Sequence, residues 1–444
     1  MGTNRRIAVL ELNDDRAEAP NDCDSIVFAR WGSSPQSGYH ACEVMQMIRF
    51  PSLAPYGAAP AAEILLVPTT VSSGPAFSAY GGDYYSWALD LKADVFSRSN
   101  VNILQYCNAS TLSVHPEDWV ALRFPYSMSV SGAGNSGSSV TGCHYVANRG
   151  YNGVVVGGSN DQSTATRSDD TAWLEPPTIP IPGDIDGRGT SWGNPASAHN
   201  DRELPEIVAP ARNVSIKYSN GSIQGIGGTS LSTPMVASAV ALLRQRNPFN
   251  LATGNWPEAQ KAILMASVDC DVHQGFLSFT DAIDDRDGVG ELHVMRALSL
   301  GDPQNNTTAY GQPATRGFRY GSMYFPSSFP SGEWQVTPQI KSGEGGFLRI
   351  VLAWDATPVC SGAPPSIQCT ENAPDADLNI ALVRSNGSVV ASSTSFDNNY
   401  EVITVQVPAG ETYNLVVTQA GTARTSMTYY GLAWDMFSAN CAGP

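Results

Sequence analysis

Gly227-Gly228-Thr229-Ser230-Leu231-Ser232-Thr233-Pro234 runs directly into Met235-Val236-Ala237-Ser238-Ala239-Val240-Ala241-Leu242-Leu243, with Arg244 and Arg246 behind it. The glycines permit a tight turn, and the Ala-, Ser- and Val-rich run reads as a buried helix with Ser230 at its N-terminus. The backbone N–H groups and positive dipole end at a helix start favour an oxyanion forming beside a serine hydroxyl, which is what acyl transfer requires. Pro234 is expected within the first turn or so, where its missing N–H costs least. An N-cap serine on an ordinary core helix gives the same local pattern. The rest of the chain has to decide between the two.

Gly228 to Pro234 resembles the nucleophile motif of the subtilisin-like serine proteases, and Pro205-Glu206-Ile207-Val208-Ala209-Pro210 resembles that family's Pro-Asp-Ile-Val-Ala-Pro stretch. The resemblance covers roughly residues 6 to 300. It implies an α/β domain with a parallel sheet flanked by helices and a site assembled in the order acid, histidine, oxyanion asparagine, serine. Arg6 to Glu11 is an apolar run of the length of a buried parallel strand, ending in an acid. Glu11 stands where the family has aspartate, and Asp14 and Asp15 follow as the other carboxylates near this position. Ser37 to Ile48 has helical periodicity, and His40 opens it as the family's catalytic histidine does, although Ala41 and Cys42 replace the usual Gly-Thr.

Tyr84 to Asn100 reads as an amphipathic helix followed by a strand over Val101 to Cys107, a βαβ crossover. The resemblance makes that strand's end a wall of the substrate cleft, where Cys107-Asn108-Ala109 replaces Ser-Leu-Gly. Ser127 to Gly137 reads as a strand entering a glycine-rich turn and resembles the family's Ala-Ala-Gly-Asn segment, whose asparagine donates to the tetrahedral oxyanion; here that residue is Asn135. Substrate contacts are implied at Cys107, Gly132, Ala133, Gly134 and Thr229. A further buried strand is expected over Gly153 to Gly158 and a helix over Trp256 to Ser267, and Gly288 to Leu298 resembles the family's closing segment.

At 444 residues the chain exceeds what one core usually serves, so more than one domain is expected. Residues 1–300 form the peptidase-like domain in this reading. Residues 301–316 are a polar, Gly- and Pro-punctuated linker. In residues 317–444 the apolar period becomes two, with strands near 347–354, 378–383, 388–392, 401–407 and 413–418. That pattern is an antiparallel β-sandwich, jelly-roll-like, as appended to many secreted members of the family. Asp375, Asp377 and Asp397 offer oxygen ligands that a structural calcium could use, with turn acids on an acidic surface as the preferred reading.

A balance of 25 basic against 41 acidic residues, net charge −16, disfavours nucleic acid and anionic membrane as partners. No apolar run reaches the length of a membrane span. Eight cysteines without Cys-x-x-Cys spacing permit disulfides, and Cys360 and Cys369, flanking a short Pro/Ser-rich loop, are expected to pair. Six Asn-x-Ser/Thr sequons, beginning at Asn108, Asn213, Asn220, Asn305, Asn306 and Asn386, suit an extracytoplasmic chain. Met1 to Arg6 runs straight into a strand with no signal peptide, as in a mature region.

The resemblance implies a serine endopeptidase acting on polypeptides as a monomer, with no metal or cofactor in catalysis. Two rivals remain open. One is a sedolisin-type acid peptidase, for which Glu43 lies on the right helix but no aspartate follows at one-turn spacing. The other is an inactive subtilase-like binding or adhesion protein. For the domain division, limited proteolysis of the native protein should cut first between residues 301 and 316. N-terminal sequencing of the fragments checks this, and first cuts elsewhere would move the boundary.

Overall fold

The computed structural model describes residues 5–12, 23–31, 39–49, 57–69, 83–100, 107–109, 116–138, 142–162, 169–174, 189–218, 220–247, 257–269, 286–306, 314–325, 333–335, 339–361 and 368–437. Eight strands of the N-terminal part form one sheet: β1 (Arg6–Leu12), β2 (Val27–Arg30), β3 (Glu63–Thr69), β4 (Val95–Arg98), β5 (Met128–Gly132), β6 (Gly153–Asn160), β7 (Thr171–Ala172) and β8 (Ile207–Pro210). Their order is β2-β3-β1-β4-β5-β6-β7, with β8 also beside β6, and every pair except β6–β7 is parallel. Parallel strands need crossovers that cover both sheet faces, which is why β1 is apolar from Ile7 to Leu10. Ile7 and Val9 join a core with helices α1 (Tyr39–Ile48) and α4 (Thr229–Arg246), whereas Ala8 and Leu10 point the other way, toward α2 (Asp83–Asp90) and α3 (Pro116–Arg123). Helices α5 (Pro257–Ala266) and α6 (Val294–Leu300) and the hairpin β9 (Val214–Lys217) and β10 (Ile223–Ile226) complete this part.

Three expectations are corrected. The helix read over Tyr84 to Asn100 ends at Asp90; Lys92 turns the chain with φ 57°, and Val95–Arg98 is a sheet strand. Four residues are too few for periodicity to separate strand from helix, and the amphipathic pattern ran on through them by chance. The strand expected over Val101 to Cys107 therefore starts six residues too late. Residues 101–106 lie outside the described residues, and Cys107 itself sits in a turn. Pro234 is the sixth residue of α4 and lies beyond the first turn.

The C-terminal part is antiparallel, as its period of two predicts. Its strands are β11 (Gly317–Tyr324), β12 (Glu333–Gln335), β13 (Ile340–Lys341), β14 (Gly346–Trp354), β15 (Val359–Ser361), β16 (Gln368–Glu371), β17 (Asp377–Arg384), β18 (Val389–Ser393), β19 (Tyr400–Val407), β20 (Thr412–Ala420) and β21 (Met427–Phe437). One sheet runs β11-β21-β14-β19, the other β12-β20-β17-β18 with β13 beside β20. Leu348, Ile350, Leu352 and Trp354 of β14 meet Leu378, Ile380 and Leu382 of β17 in the core between them. Val351 and Ala353, on the opposite face of β14, belong instead to the core of the peptidase-like part.

That second face is covered by α5, which packs on β14 and β21. Polar links cross the same boundary. Asn152 and Ala356 exchange two hydrogen bonds of 2.8 Å, and Asn399 Nδ2 donates to Tyr151 O at 3.0 Å. The buried Lys261 ammonium on α5 donates to Glu206 Oε1 at 2.9 Å, Tyr151 O at 3.0 Å and Asn399 Oδ1 at 3.2 Å. The contact is so close that a Cβ built on Gly431 would overlap the backbone of Ala259. Gly431→Ala should therefore force α5 off β21 and cost about 1–3 kcal/mol, the usual range for an overpacked core. Thermal or urea unfolding checks this; an unchanged midpoint would mean that the helix yields freely.

Candidate active site

The carboxyl ends of parallel strands face an open crevice, and this sheet places its reactive residues there. The ladder aligns Leu10 with Arg98 and Arg98 with Ser131, so one step further Glu11, Ser99 and Gly132 stand side by side. Glu11 is fully buried, and its Oε1 lies 3.0 Å from His40 Nδ1, within hydrogen-bonding distance; the imidazole is partly exposed. His40 is the second residue of α1, and α1 packs against α4. The other carboxylates considered for this position, Asp14 and Asp15, lie outside the described residues.

Ser230 is the second residue of α4 and buried. A helical carbonyl normally accepts from the N–H four residues on, but for Ser230 that residue is Pro234, which has none. Ser99 Oγ fills the gap, donating to Ser230 O at 3.0 Å, and Ser230 Oγ in turn lies 3.4 Å from Ser99 O. Ser99 is the residue that sequence reasoning missed here. Its signal was Val95-Phe96-Ser97-Arg98, a four-residue strand masked by the apparent continuation of a helix.

Asn135 lies three residues past the end of β5. Its Oδ1 accepts from Thr229 N at 2.8 Å and from Thr229 Oγ1 at 3.0 Å. Because a backbone N–H can only donate, this fixes the carbonyl end of the amide against the start of α4 and turns Nδ2 the other way. Thr229 Oγ1 also accepts from Gly134 N at 3.2 Å, tying the glycine-rich turn to the helix. A Cβ built on Gly228 would stand 3.6 Å from Asn135 Nδ2 and 3.7 Å from Ser230 N. Gly228 thus opens onto a point flanked by the Asn135 amide, whose Oδ1 stands at 3.9 Å, and by the Ser230 N–H at the helix start.

Of the residues with implied substrate contacts, Thr229 and Gly134 are tied to each other and Thr229 to Asn135, whereas Ala133 is buried beside Val146, Val155 and Leu204. A Cβ on Gly132 would press on Thr233 Oγ1 at 2.9 Å, and Asn148 Nδ2 donates to Gly132 O at 2.6 Å. Cys107 is exposed and disulfide-bonded to Cys143, and the strand end beside Ser230 is Ser99, not Cys107. A second disulfide joins Cys23 to Cys42. Cys360 is disulfide-bonded and faces Cys369 across the β15–β16 ladder, as the short loop predicts. Cys270 and Cys441 lie outside the described residues.

Two of the acids considered for calcium have separate hydrogen-bond partners. Asp375 accepts from Thr357 Oγ1, whereas Asp397 accepts from His199 N at 2.7 Å and lies 3.0 Å from its Nδ1. Bonds from Ser197 and His199 hold Asp397 down at about 2 against the pull of burial, whereas burial raises Asp377 to about 6. Among the described residues no group of three or more His, Cys, Asp or Glu side chains could hold a metal ion. Nor is any described helix long and apolar enough to cross a membrane.

The structure thus brings Glu11 to His40, and Asn135 to the start of the helix that carries Ser230. The sequence model of the subtilase family, Peptidase S8, matches residues 51–312, more than half of the chain, and the chain belongs to that family. It is 46% identical over 43 residues to Subtilisin BL and equally to Subtilisin Savinase, both of Lederbergia lenta; the match covers 10% of this chain and only 16% of the length of either relative. Among solved structures it is similar to the self-cleaved protease domain of PatA, at 19% identity and TM-score 0.43, covering 67% of this chain and 96% of that one. It is likewise similar to the prenylagaramide maturation protease PagA, at 19% identity and TM-score 0.43, covering 66% and 93%.

Gly228 has φ 162°, extended backbone that alanine also adopts. Gly228→Ala should therefore fold normally yet fill the space between the two donors. A loss of about 10²–10³ in kcat, as for removal of an oxyanion donor, is expected. Kinetics on a chromogenic peptide together with the unfolding midpoint check this, and unchanged kcat would show that no oxyanion forms there.

Proposed function

We propose that this subtilase is a serine endopeptidase working through Glu11, His40 and Ser230, with Asn135 and the Ser230 N–H as oxyanion donors. The observation that carries the reading is the 3.0 Å approach of buried Glu11 to His40 Nδ1. A buried carboxylate so placed holds the imidazole in the tautomer that leaves Nε2 free to accept a proton, and stabilises the imidazolium once it forms. Ser230 Oγ turns from the Ser99 carbonyl, passes its proton to His40 Nε2 and attacks the peptide carbonyl. Charge on that carbonyl oxygen is met by the two donors at Gly228. His40 then protonates the departing amine as the C–N bond breaks, and a water, deprotonated by the same imidazole, releases the acyl group.

Substrates in this reading are polypeptides, cleaved without a metal or cofactor. The disulfides favour an extracytoplasmic setting, where such bonds persist. Glu43, the candidate acid of the sedolisin reading, is buried and accepts from Tyr218 OH at 3.0 Å, an engagement that favours histidine as the base.

Ser230→Ala should abolish both fluorophosphonate labelling and hydrolysis of denatured casein. Glu11→Gln should lower kcat about 10⁴-fold by favouring the wrong tautomer, whereas Asp14→Asn and Asp15→Asn should change it less than about tenfold. Full activity of Ser230→Ala would overturn the assignment, and the reverse order among the acids would transfer the triad role to the loop.

A further inference from the structure

The segment that carries His40 departs from its family's pattern at Ala41 and Cys42, where Gly-Thr is usual. Cys42 is disulfide-bonded to Cys23, 19 residues earlier, with Cα atoms 5.6 Å apart. Both sulfur-bearing residues are buried, at 3% and 1% exposure, in the core shared by α1, α4 and the sheet. Cys23 opens the short turn that leads into β2. The bond thus closes the chain between the strand that supplies Glu11 and the helix that supplies His40.

Its place on the helix matters. Residues two apart on an α-helix point in nearly opposite directions, so Cys42 anchors the back of the turn whose front presents His40 to Glu11. The outer side of α1 is held by weaker contacts: Tyr39 stacks on Tyr218 at 5.7 Å, Tyr218 OH donates to Glu43, and Gln46 exchanges two 3.1 Å hydrogen bonds with the backbone of Lys217. These grip the helix from the β9–β10 hairpin side alone. Ala41, Val44, Met45 and Ile48 pack the other side into the core with α4 and the sheet, and to this non-covalent packing the link at Cys42 adds a covalent attachment in the turn that carries His40.

We propose that the Cys23–Cys42 disulfide is a positioning device for His40, taking over at Cys42 the alignment of the histidine helix with Glu11. The proposal rests on the peptidase reading for its effect on turnover but not for its effect on the imidazole. Misplacement of a catalytic group by about 1 Å typically costs on the order of 10²-fold in rate. Losing the link should thus lower kcat while leaving KM nearly unchanged, because substrate is bound elsewhere in the crevice. As His40 moves from Glu11 its imidazolium loses stabilisation, so its titration shifts to lower pH.

The test compares the full-length protein with the Cys23→Ala/Cys42→Ala double variant and with Cys23→Ala/Cys42→Thr, which restores the family's residue at 42. Each is assayed well below its own unfolding midpoint. The expected result for the first variant is kcat down about 10–100-fold, KM changed less than about threefold, slower fluorophosphonate labelling, and an NMR titration of the His40 ring moved to lower pH, with partial recovery of all four in the threonine variant. A lowered midpoint with kcat and the His40 titration both unchanged would overturn the proposal and leave the bond a mere stabiliser. If neither variant folds, the native protein is treated with dithiothreitol, whose two thiols supply two electrons and two protons and close to a cyclic disulfide. Reduction at Cys23 and Cys42 is followed by alkylation and mass mapping. The His40 titration must then shift in proportion to that modification, and its constancy would overturn the proposal. Because the titration needs no turnover, a protein without peptidase activity would refute the function while still deciding the positioning role.

Discussion

Close packing of one helix of small residues against a parallel sheet is the constraint from which the rest of the molecule follows. Ser232, Ala237, Ser238, Ala239 and Ala241 of α4 are all essentially inaccessible, and α4 lies against β1, β4, β5, β6 and β8. Small side chains let the helix come close enough that Gly132 has no room for a Cβ beside Thr233. At such density a shift of the helix is felt at every neighbour. Ser230, Asn135 and Gly228 therefore share one frame, and Thr229 binds them together as acceptor from Gly134 and donor to Asn135.

Pro234 shows how the sequence uses an irregularity. In a helix interior it removes a hydrogen bond and is normally disruptive. Here the lost bond belongs to the carbonyl of Ser230, and Ser99 from the neighbouring strand supplies the donor. Ser230 is thereby tied across to the sheet in addition to its own helix.

The sandwich is no loosely appended module. Its β14 is buried on both faces, one against β17 and one against α5, and ionisable groups are enclosed between. Burial lowers the Lys261 ammonium from its ordinary range, opposed by Glu206. Burial also raises Glu258 and Asp355, which lie within hydrogen-bonding reach of each other. The polar links that cross the seam, Asn399 to Lys261 and Glu258 with Asp355, favour one relative placement of the two parts, since a buried polar group left without its partner typically costs about 1–3 kcal/mol. Asn399 is central to that selectivity, since it meets both Lys261 and the backbone of Tyr151.

Apolar length, glycine placement and period made the parallel sheet, the helix after Ser230 and the antiparallel C-terminal part legible in the sequence, because each reflects a local repeat that burial imposes. Glu11, His40, Asn135 and Ser230 were each found in the sequence at the end or start of an element, and the structure brings Glu11 to His40 and Asn135 to the start of α4. The four-residue β4, and with it Ser99, escaped because so short a segment carries no period. β21 escaped because Gly431 and the small residues near it answer to a partner helix more than a hundred residues away in sequence. Pairing of Cys23 with Cys42, the acceptance of Ser99 by the carbonyl that Pro234 leaves open, and the enclosure of Lys261 were decided by tertiary structure alone. The sequence by itself determined the strand or helix character of the longer periodic segments, since that is set by neighbours along the chain; the short β4, and which side chains would meet, were decided only when packing brought distant segments to one place.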